Sequence, residues 1–130
     1  MTDLGDLVGA SDDAAALAAC TVGQRIVGDV VVVCISGVLD LVTAPTVEAA
    51  LDEALGQHPA ALIVDLLEVD FLAAAGMTVL LRARERIGTS ARFAVVAAGS
   101  ATARPMKAIG ISDQLGMQTS LGEALQAVRV

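Results

Sequence analysis

The sequence predicts an α/β protein in which a mixed sheet of four to five strands carries about four helices. Three observations lead there. Val30–Ser36 and Ala61–Leu66 are short and almost continuously apolar, as strands covered on both faces must be. Between and after them lie stretches whose apolar residues recur at helical spacing. The connection between the two runs is also long enough for a helical crossover, which makes those strands parallel.

The elements follow in order. Residues 1–18 are rich in Gly, Asp and Ala with no sustained apolar face, so a flexible acidic extension is expected there and an ordered domain over 19–130. Thr21–Ile26 and Val30–Ser36 flank Val27-Gly28-Asp29 and read as a hairpin. A tight turn there sets residue 34 opposite residue 23. Gly37–Val42 reads as a loop, with Thr43 as a cap and Pro45 in the first turn of a helix. Val47, Ala50, Leu51, Ala54 and Leu55 make that helix's apolar stripe, and Gly56 and His58-Pro59 end it.

Ala61–Leu66 is the next strand, followed by an acidic turn over Leu67–Asp70 and a helix opening at Ala73-Ala74-Ala75-Gly76-Met77. Met77, Leu80, Leu81 and Ile87 face inward along this helix until Gly88 stops it. Arg92–Ala97 is a strand, Arg104–Ile109 a short helix starting near Thr102 or Ala103, and Leu115-Gly116-Met117 a brief edge strand. Ser120-Leu121-Gly122-Glu123 is a capping box that opens the last helix.

Composition narrows the function. The chain has 130 residues, a net charge of −7, no Trp or Tyr and two Phe. Residues 1–70 hold twelve acids against Arg25 alone, whereas residues 71–130 hold three acids and seven bases. An acidic chain without aromatic platforms does not suit nucleic acid; a protein partner suits the asymmetry better. The apolar runs are too short to span a bilayer and the acidic N-terminus is no signal peptide, so a cytoplasmic protein with no membrane association is expected. Cys20 and Cys34 are expected as free thiols.

Catalytic chemistry has little to work with. His58 is the only histidine and sits in a polar turn. Zinc spacing, a Walker loop, a dinucleotide glycine fingerprint and a nucleophile elbow are all missing, so neither a metal nor a cofactor is expected. Asp65, Glu68 and Asp70 read as a solvated acidic turn, and Gly99-Ser100 ahead of Arg104 as a plain turn and cap. A non-enzyme is expected.

Four segments resemble the STAS domain, the fold of anti-sigma factor antagonists. Gly37-Val38-Leu39-Asp40-Leu41-Val42-Thr43-Ala44-Pro45 is similar to its G-E-L-D-x-x-T-A-P loop. Leu62–Met77 is similar to its strand, turn and D-S-S-G-L motif. Ala108–Ile111 resembles its T-G-L segment, and Ser120–Leu125 its terminal S-x-x-E-A-L helix. The segments keep their order from about residue 20 to 128.

The resemblance implies a partner-switching regulator that binds a kinase-type anti-sigma factor as a monomer or weak dimer. It implies a partner surface built from Asp40, Thr43, Ala73, Ala74, Ala75, Gly76 and Met77. The family's phosphoacceptor serine falls on Ala75, its neighbour on Ala74, the motif aspartate on Ala73 and the first-loop glutamate on Val38. A phosphoserine at 75 would bring about −1.5 to −2 charges beside Glu68 and Asp70 and drive release. Alanine cannot, so binding without a phospho-switch is expected. The alternative is a degenerate scaffold or small-ligand-sensing module that meets no anti-sigma factor.

Overall fold

The computed structural model describes residues 19–129; the expected extension over 1–18 lies outside them. Strand β1 (Cys20–Val27) turns at Gly28-Asp29 into β2 (Val30–Leu39), and helix α1 (Ala44–Leu55) crosses to β3 (Ala61–Leu72). Helix α2 (Ala74–Ile87) leads to β4 (Arg92–Val96), α3 (Ala103–Ala108) to β5 (Met117–Gln118), and α4 (Leu121–Ala127) ends the order.

The five strands lie side by side as β1-β2-β3-β4-β5. β1 is antiparallel to β2, and Gly23 stands opposite Cys34 as the tight hairpin requires. Every other pair is parallel, which follows from the helical crossovers. Val31, Val33 and Ile35 of β2 and Leu62, Val64 and Leu66 of β3 bury one face of the sheet in a core shared with α1 and α2. Val32, Ile63, Ala94 and Val96 bury the other beneath Ala124 and Val128 at α4. The two faces together explain why the central strands are apolar without alternation.

Two boundaries differ from the expected ones. Gly37–Leu39 continues β2, and Leu67–Asp70 is part of β3. The reason is a pair of bulges. Cys34 pairs with Asp65 but Ser36 with Glu68, and Gly37 pairs with Val69 but Val38 with Phe71, so β3 carries one surplus residue at each step. Buried side chains then recur every third residue, at Leu66, Val69 and Leu72, and the acids between them look like a turn. The Asp65 carboxylate accepts the Leu67 N–H at 3.0 Å and holds the first bulge.

Helices α1 and α2 lie against each other and are joined by ion pairs, Arg82–Glu48 at 3.5 Å and Arg86–Asp52. The charged faces of the two helices therefore partly neutralise one another. Both cysteines are free, Cys20 buried and Cys34 half-buried.

Candidate functional site

The site lies where β2 and β3 end side by side. β2 passes into a turn over Asp40–Thr43. There the Asp40 carboxylate accepts the N–H groups of Val42 (3.0 Å) and Thr43 (3.1 Å). Thr43 occupies the residue before α1 but does not cap it with its side chain. Its backbone is already helical, which turns the hydroxyl back into the turn, where it donates to the Val38 carbonyl and accepts the Asp40 N–H, each at 2.9 Å. The expected cap is thus a turn lock: the Thr46 N–H that it would have capped donates to the Thr43 carbonyl at 3.1 Å, and the Asp40 carboxylate ties the turn ahead of the helix.

The start of α2 is fastened to this turn by backbone alone. Ala73 is extended (φ −91°, ψ 171°), the conformation of a capping residue, but has no side chain to cap with. Its N–H donates to the Leu39 carbonyl at 2.9 Å, and its own carbonyl accepts from Gly76 and Met77. Gly76 is held where no side chain fits: a Cβ there would stand 2.6 Å from Leu39 Cγ and 2.8 Å from Leu72 Cδ1. Gly37 is similar. A Cβ on it would come within 2.1 Å of the Ala19 carbonyl oxygen, and its φ of +93° suits glycine.

The structure brings the expected residues together and sorts them by exposure. Thr43, Gly76 and Met77 are buried, Asp40, Ala73 and Ala75 half-buried, and Ala74 exposed. The buried ones shape the junction. What sequence reasoning missed is the apolar display around it: Leu41 is 79% exposed, Val42 69%, Phe71 55% and Leu67 44%. A pair of large apolar residues inside an Asp-x-x-Thr turn was the available signal for Leu41 and Val42. Phe71 had none, because its exposure depends on the second bulge.

Burial, followed by the negative charge of Asp40, pushes the Cys20 thiol upward; Thr43 opposes this. Burial and then Asp65 push Cys34 upward against Arg25. Both shifts disfavour the nucleophilic thiolate. Among the described residues no cluster of three or more His, Cys, Asp or Glu is arranged to hold a metal, and no helix is long and apolar enough to cross a membrane.

Set against known proteins, residues 23–124 match the model of the STAS domain. The chain belongs to the STAS domain family. This STAS protein is 40% identical over 100 residues to anti-sigma-F factor antagonist RsfB of Mycobacterium tuberculosis, covering 77% of the present chain and 82% of that one. A crystal structure of an anti-sigma factor antagonist from Mycobacterium paratuberculosis superposes with a TM-score of 0.82 at 37% identity, over 85% of this chain and 95% of that one. The Bacillus cell fate determinant SpoIIAA in its phosphorylated form shares the STAS fold at 19% identity, with a TM-score of 0.63 over 84% of this chain and 100% of that one.

Proposed function

We propose that this STAS protein is an anti-sigma factor antagonist that works by binding an anti-sigma factor and not by catalysis. In this reading its contact surface is the Asp40–Thr43 turn together with the first turn of α2, and phosphorylation at position 75 has no part in its regulation. The observation that carries the reading is the alanine run. Ala73, Ala74 and Ala75 keep the backbone of the junction, with its N–H bond to Leu39, and remove every hydroxyl from it. The nearest hydroxyl along the helix, on Thr78, lies one turn further on and donates to the Ala74 carbonyl at 3.1 Å.

The 40% identity to RsfB supports the partner class. The test is an interaction screen of the purified chain against the anti-sigma factors of its source organism, with and without ATP, followed by mass spectrometry of residues 73–78. A complex whose affinity ATP leaves unchanged, with no phosphate on that segment, is expected. Phosphate there would remove the claim about switching. Failure to bind any of the anti-sigma factors would instead favour a scaffold.

A further inference from the structure

Large apolar side chains exposed in one patch mark contact sites, and aromatic ones carry the most weight there. Leu41 and Val42 project from a turn whose backbone is locked by Asp40 and Thr43, so their exposure is built in. On the adjacent strand end, unbroken alternation from the buried Val69 would turn Phe71 inward and Leu72 outward. The surplus residue at the second bulge reverses this: Phe71 is 55% exposed and Leu72 only 4%. Leu67, released by the first bulge, is also exposed. Glu68 and Asp70, both exposed, stand between these apolar groups along β3.

We infer that Leu41, Val42, Leu67 and Phe71 anchor a protein partner whose docking face is an apolar recess flanked by Lys or Arg. The inference rests on the preceding reading for the location of the interface, and it adds the chemistry of the occupant. Charge selects that occupant. Glu68 and Asp70 call for basic groups, whereas residues 1–18 carry Asp3, Asp6, Asp12 and Asp13 with no Lys or Arg, so this chain's own N-terminal segment is the wrong sign. Leu41 and Val42, preorganised by the locked turn, lose little freedom on binding.

The test places the photo-crosslinker benzoylphenylalanine at position 71 of the full chain, in its source organism. Positions 26 and 109, equally exposed isoleucines away from this edge, serve as controls. The expected result is a crosslink specific to position 71, mapping to a partner peptide that holds apolar residues beside Lys or Arg. With that partner purified, Phe71→Ala is expected to weaken binding by about thirtyfold or more. Glu68→Lys with Asp70→Lys is expected to slow association, while melting temperatures stay close to the parent's.

Equal crosslinking at all three positions overturns the inference, as does a crosslink to residues 1–18 or to a second copy of the chain. Unchanged affinity in Phe71→Ala overturns it too. A mapped partner of the stated chemistry that is not an anti-sigma factor sustains the docking surface and overturns the partner class proposed above.

Discussion

A methyl group added at Gly76 meets Leu39 Cγ at 2.6 Å and Leu72 Cδ1 at 2.8 Å, both in side chains that are fully or almost fully buried. Gly76→Ala is therefore expected to destabilise the fold by about 1–3 kcal/mol, read as a lower midpoint in urea with an unchanged slope. At the other end of the chain, Glu123 accepts hydrogen bonds from the hydroxyls of Thr119 and Ser120, which hold its carboxyl below the ordinary glutamate range. A depressed folded-state value means that these bonds support the helix start above the unfolded-state pKa and are lost as pH falls through the folded one. An NMR titration is expected to find Glu123 titrating low, and Thr119→Ala with Ser120→Ala to return it upward. Side-chain roles were unevenly legible at this scale. The Ser120 cap follows from its spacing to Glu123, because capping needs only an extended residue three before an N–H donor, and the bond is present at 3.1 Å. Thr43 read as a cap for the same reason, but its helical backbone aims the hydroxyl elsewhere, and a sequence does not reveal a single residue's ψ.

Of the described helices, α1, α2 and α3 all start without a side-chain cap, and among these three only α2 has an extended backbone at its capping residue. Its capping position has the right backbone and the wrong side chain, so Ala73→Ser is expected to stabilise the protein by about 1 kcal/mol, measured as a raised thermal midpoint. Position 73 lies inside the segment searched for phosphate, so this comparison is made without kinase or ATP. The two long helices were readable because each has an apolar stripe and a stop residue; Ala44–Leu55 and Ala74–Ile87 begin and end within a residue or two of the expected limits. Strand ends were not. β2 and β3 extend past the apolar runs because, at the sheet's end, pairing continues after full burial stops, and bulges replace the two-residue period with a three-residue one. The site lies within that illegible stretch. Its backbone position could be read from the motif order, whereas the outward turn of Phe71 required the register.

Across the whole molecule, the sheet is supported unevenly along its length. Ala61–Asp65 is hydrogen-bonded on both sides, to β2 and to β4, and sits within both cores. From Leu66 to Leu72 the same strand pairs only with β2, and does so through two interruptions. A single strand thus has an anchored half and a looser half, and the looser one leads directly into α2. Amide hydrogen exchange is expected to show the difference: slow exchange governed by global unfolding for Leu62–Val64, and faster exchange through local opening for Glu68–Phe71. Uniform protection from Ala61 to Leu72 would contradict it. Local opening of this kind would let the strand end yield by small amounts to fit a partner while the inner half keeps the fold, and the bulges that aim Phe71 outward would then also set the compliance of the surface that carries it.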